Sequence, residues 1–169
     1  MEKVKMTKDT VPEDFTMTLA LVDSLPVLFF GAGMIVVSIL FSSKLFFLGA
    51  LLCLFAGAAK VIWKIIVVLK HKNVWWLFLQ MRILMPIGFA AMIIGVIINK
   101  DAVNFAAILS AIVSLPAVVF FAVGIFGMVL MLFFEFKLDS SNVKANWIEQ
   151  LTNGIAQASF FVGLLLITL

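Results

Sequence analysis

A chain of 169 residues that is 64% hydrophobic is far more apolar than a soluble domain, which is about half apolar. Its 12 basic and 9 acidic residues give a net charge of +3, and no soluble basic surface is left for a nucleic acid to meet. The single cysteine, Cys53, and single histidine, His71, exclude a disulfide framework within the chain and a conventional zinc or haem centre, so no metal and no cofactor is expected.

Residues 1–15, MEKVKMTKDTVPEDF, are polar and of mixed charge. They are too acidic for the start of a signal peptide, and the apolar run behind them is too long for its hydrophobic core. They read as a short cytoplasmic tail on the inner membrane surface, where Lys3, Lys5 and Lys8 meet anionic lipid or are simply solvated. Residues 16–169 read as one transmembrane helical domain. Five apolar runs follow at about 16–41, 45–69, 74–98, 103–136 and 147–169, each at or above the ~20 residues that span a bilayer. The breaks between them are mostly short, which makes successive helices antiparallel neighbours. The fourth run is longer than a span needs, so a tilt, a kink at Pro116 or an interfacial start near Asn104 is expected. The fifth run continues to Leu169 and should finish close to the far surface.

Lysine placement predicts the orientation. With five spans, the amino terminus shares a side with the second and fourth loops, which together carry Lys3, Lys5, Lys8, Lys70, Lys72, Lys137 and Lys144. The other side has Lys44 and Lys100. The basic side is cytoplasmic, so the amino terminus lies inside and the carboxyl terminus outside. Trp63, Trp75, Trp76 and Trp147 all fall toward the inner ends of their runs, as an aromatic belt would. The fold class that results is an all-α integral membrane protein of the cell membrane, a bundle of five transmembrane helices.

Within that frame the polar residues of the spans gather in the inner half. Asp23 lies in the first run, Lys60 and Lys64 in the second, and Gln80 and Arg82 in the third. Glu149, Gln150, Asn153 and Gln157 share one arc at the start of the fifth. Lys60 and Lys64, at i and i+4, lie about 40° apart on one helix face, with the small residues Gly49, Cys53, Ala56 and Gly57. Small residues mark the side of a membrane helix that touches other helices, so the lysines are expected to point into protein. A cation there costs roughly 2.5–3.5 kcal/mol on insertion scales unless it is paired or wetted. Asp23 and Glu149 facing Lys60, Lys64 and Arg82 would form an electropositive cavity open to the cytoplasm. Each residue also has a plainer role. Lys64 and Arg82 can reach back to the interface. Glu149 can serve as an interfacial acid at a helix start. Asp23 can be half of a structural ion pair.

Pro26, Pro86 and Pro116 fall within spans and should each free a carbonyl. Ser24-Leu25-Pro26 in the first run matches Ser114-Leu115-Pro116 in the fourth. The Gly57–Lys60 spacing in the second run matches Gly154–Gln157 in the fifth. These matches make an inverted repeat of helices 1–2 and 4–5 a candidate. No phosphate-binding Gly-rich loop, paired-His zinc motif or G-x-S-x-G elbow occurs, so an enzyme is not expected and no catalytic residue is assigned. The first expectation is a small membrane protein that binds or transports a small anionic solute. Asp23, Lys60, Lys64, Gln80, Arg82, Glu149, Asn153 and Gln157 would contact the solute, and Asp23 would couple or gate. The partners expected are the bilayer, the solute, and a second copy or a larger membrane partner. The alternatives are an accessory subunit of a membrane complex and, last, a membrane enzyme acting on a lipid phosphate.

Overall fold

The computed structural model describes residues 11, 15–138 and 142–168, apart from the side chain of Glu135. Most of the expected amino-terminal tail lies outside the described residues. Among those described there are eight α-helices, one 3-10 turn and no strand. Five helical stretches are long and apolar enough to cross a membrane.

The first span, Met17–Phe41, is made of α1 (Met17–Val22) and α2 (Ser24–Phe41), with a step at Asp23. The Thr16 hydroxyl starts it by accepting from the Leu19 N–H at 3.2 Å. Pro26 has no N–H, so the Val22 carbonyl loses its ordinary donor right beside the step. The span ends at Ser42, whose backbone is left-handed at φ 47°. The second span is α3 (Lys44–Lys70), capped by the Ser43 hydroxyl on the Phe46 N–H at 3.3 Å and closed by left-handed His71. The third, Trp75–Ile98, joins α4 (Trp75–Leu79) to α5 (Met81–Ile98) across Gln80.

The fourth apolar run is not one span. It divides into α6 (Phe105–Val113) and α7 (Ala117–Lys137), with an extended backbone at Ser114. Leu115 precedes a proline, and such residues are pushed out of helical geometry, so the helix stops before it and restarts after it. Nine residues reach about 13 Å, well short of a bilayer, and α6 has no buried residue. Its start is capped by Asn104, which accepts from the Ala107 N–H at 3.0 Å. The membrane-length part of the run is Ala117–Phe134. The last span, α8 (Val143–Thr168), starts earlier than the apolar pattern suggests, because Asn142 caps it by accepting from the Lys144 N–H at 2.9 Å.

Side by side, α5 packs on α3, α3 on α2, α2 on α8, and α8 on α7. In span numbers the order is 3-2-1-5-4. The third and fourth spans share no comparable interface, so the bundle is a curved row with a gap between its two ends. Small residues set the closest approaches, as they must where apolar lipid gives helices no hydrophobic reason to associate. A Cβ on Gly127 would sit 2.7 Å from the Ala156 methyl, and one on Gly49 would sit 2.6 Å from the Gly88 carbonyl oxygen. The α3–α5 seam closes at one end in a polar knot: the Asn99 amide donates to the Ser43 hydroxyl at 3.0 Å, which donates to the Gly95 carbonyl at 3.2 Å.

Trp63 departs from the aromatic belt. It is buried beneath Phe15, Leu19 and Leu77, and its indole N–H donates to Asn73 Oδ1 at 2.9 Å. A buried tryptophan needs such a partner, and Asn73 in the following loop supplies it. The two halves of the candidate repeat have different surroundings. A Cβ on Gly57 would meet the Val27 side chain at 3.0 Å, whereas one on Gly154 would meet nothing within 4 Å. Gly154→Ala should therefore be tolerated and raise stability by up to about 1 kcal/mol through helix propensity, read as a higher Tm in detergent.

Candidate functional site

The step at Asp23 turns its carboxylate toward α3. Asp23 Oδ2 lies 2.9 Å from Lys64 Nζ, and the two residues are only 6% and 2% exposed. The ammonium also lies 5.7 Å from the centre of the Phe15 ring. Neither charged atom has a hydrogen-bond partner beyond this contact among the described residues. Lys64 therefore does not reach back to the interface; it is folded into the protein against an acid from another span. Its neutralisation by Asp23 offsets a desolvation cost that neither residue could bear alone.

Two adjoining cavities, each of about 240 Å³, lie at the end of the bundle where α1, α4 and α8 begin and α3 ends. The first runs between Phe15, Lys64, Arg82 and Asn146. The second runs deeper, between Asp23, Gly57, Met85, Met131 and Asn153. Lys60, Met81, Glu149 and Gln150 border both and form the waist between them. Arg82 is exposed at the mouth, where its guanidinium stands over the Phe78 ring at 5.5 Å from the centre. Gln150 is 5% exposed, and its Oε1 is buried without a hydrogen-bond partner. An acceptor left so is costly unless water or a ligand donor reaches it.

Asp23, Lys60, Lys64, Arg82, Glu149 and Asn153 thus border one connected space contributed by four spans. Gln80 and Gln157 stand apart from it. The Gln80 amide donates to the Ala56 carbonyl at 3.0 Å and the Leu77 carbonyl at 3.2 Å, tying the α4–α5 junction to α3. Gln157 lies one turn beyond Asn153, where its amide meets the Met128 sulfur at 3.5 Å. Asn146 borders the cavity and was missing from the expected set, although it stands three and four residues before Glu149 and Gln150 on the same face. The methionines Met81, Met85 and Met131 have no polar signature that would have marked them.

The charge balance is uneven. Among the described residues, three cationic side chains and two carboxylates border the two cavities. Asp23 and Lys64 pair with each other, and Lys60, Arg82 and Glu149 border the first cavity together. Lys60 is half-buried and has no ion-pair partner among the described residues. Among those residues, no three His, Cys, Asp or Glu side chains come together as metal ligands.

No family model, no curated protein and no solved structure matches this chain. The fold defines its class: an α-helical integral membrane protein with five spans.

Proposed function

We propose that this protein binds a small anionic solute in the cavity around Lys60, as the binding step of transport. The observation that carries the reading is Lys60 itself, a half-buried cation at the waist of two cavities with no ion pair to a carboxylate among the described residues. A surplus cation inside a membrane protein favours an anion, and Arg82 at the mouth adds a planar donor set suited to phosphate or carboxylate. Asn153 and Gln150 supply uncharged hydrogen bonds beside it. The Asp23–Lys64 pair acts as the wall of the site. The lysine asymmetry of the loops supports an opening to the cytoplasm across the cell membrane.

Purified protein should gain thermal stability on adding butyl phosphate or another water-soluble organic anion. Lys60→Met should weaken that gain at least tenfold in midpoint concentration, and Arg82→Gln by less, because Arg82 is already solvated. No shift with any anion in a broad screen, together with an unchanged melt for Lys60→Met, would sink the proposal.

A further inference from the structure

Beyond the polar cavities lies an apolar hollow of about 330 Å³, lined by Phe30, Met34, Phe89, Phe121, Met128 and Phe160. It lies about one helical turn from the deeper polar cavity. On the first span Val27 borders the deeper polar cavity and Phe30 the hollow. On the third span the corresponding residues are Met85 and Phe89, on the fourth Met131 and Met128, and on the fifth Asn153 and Gln157. Each step is three or four residues, one turn of helix, about 5–6 Å. On each of these four helices the wall of the polar cavity therefore passes within one turn into the wall of the hollow, beside the gap between the third and fourth spans.

We propose that the anion bound at Lys60 is the head of a single-chain anionic lipid whose chain lies in this hollow. The inference rests on the anion-binding reading above and names the class of its ligand. A hollow lined by Phe and Met takes an acyl chain in preference to water, and the cation beyond its end selects a chain whose head is an anion. A lipid chain fills it and enters sideways through the gap from the bilayer. At roughly 30 Å³ per methylene, taken as comparable to a water molecule, the hollow holds on the order of ten methylenes. Gln157 fits the same occupant. Its amide, which meets the Met128 thioether at 3.5 Å, stands one turn past Asn153, where the ester carbonyl of a lysophosphatidic acid can accept its hydrogen bond.

The test uses full-length protein in phosphatidylcholine nanodiscs, with butyl phosphate and dodecyl phosphate as probes and thermal stabilisation as the readout. Met128→Trp places a ring in the hollow at an exposed position and should weaken dodecyl phosphate at least tenfold while leaving butyl phosphate unchanged. Lys60→Met should weaken both. As a second measurement, dodecyl phosphate carrying a terminal diazirine should label Phe121, Phe160 or their immediate neighbours. Unchanged dodecyl phosphate affinity in Met128→Trp, or labels scattered over the outer lipid-facing surfaces, would overturn the chain site while Lys60-dependent butyl phosphate binding kept the anion site. A membrane helix that co-purifies in fixed proportion and crosslinks at Phe89 would overturn it too. If neither phosphate binds, both readings fall.

Discussion

Asp23→Asn is expected to destabilise the protein by about 3–5 kcal/mol, because it removes one charge of a buried pair and leaves the other without compensation. Asparagine keeps the size and shape of the side chain, so the loss is electrostatic and not a packing defect. Lys64 Nζ sits 2.9 Å from the carboxylate and is almost fully enclosed, with no second acceptor among the described residues to take over. Lys64→Met should destabilise for the mirror reason, by stranding the aspartate. The double variant Asp23→Asn/Lys64→Met should recover most of the loss, since replacing a whole buried ion pair by neutral groups is often harmless. Unfolding of the four proteins in one detergent measures this as a double-mutant cycle, with a coupling of at least 2 kcal/mol expected. A melt of Asp23→Asn indistinguishable from wild type would mean that water reaches the pair and that the enclosure drawn above is wrong. The cycle also separates two roles for Asp23. If the double variant still binds butyl phosphate, the pair is a wall of the site. If binding is lost although stability returns, Asp23 takes part in coupling.

The spans were legible because a bilayer demands ~20 apolar residues in a row and the chain has them. Their ends were legible where a polar residue caps them, as at Ser43, and the excess length of the fourth run pointed to Pro116, although apolar composition alone did not say that α6 falls short of a span. The clustering of charge was also legible, since a lysine such as Lys64 inside a span has few tolerable neighbours. Which acid it would meet was not. Helical periodicity fixes the direction a side chain takes around its own axis, but not which helix stands opposite. Gln80 and Gln157 show the limit. Gln80 and Arg82, two apart on a helix, point to opposite sides, but their spacing does not say which of the two meets the cavity: the former braces α3 while the latter faces the cavity mouth. Gln157 shares its face with Asn153 but lies a turn past the end of the polar space. The gap between the third and fourth spans had no sequence signal at all. It follows from the packing order, and antiparallel neighbours in sequence give no account of that order beyond the pairs they join.

Gly88→Val is expected to be the most damaging apolar substitution, with a loss at the upper end of the roughly 1–3 kcal/mol of overpacking or above it. The seam between α3 and α5 is backbone against backbone. A Cβ at Gly88 would press on the Cys53 sulfur and lie 2.8 Å from the Gly49 carbonyl oxygen, and one at Gly95 would lie 2.6 Å from the Phe46 amide nitrogen. Backbone atoms have no rotamer to change, so the helices must part, and parting them empties the contacts among Phe46, Ala50, Cys53 and Met92. The damage should travel to the site, because α5 begins with Met81 and Arg82 at the cavity and α3 carries Lys60 opposite. Gly88→Val should thus lower the melting temperature and weaken butyl phosphate together, whereas Gly154→Ala, with open space around it, should do neither. Thermal melts and anion titrations of both variants in one detergent decide the matter. If Gly88→Val melts like wild type, α3 and α5 are not in backbone contact, and the distance between Lys60 and Arg82 is then set by something other than this seam.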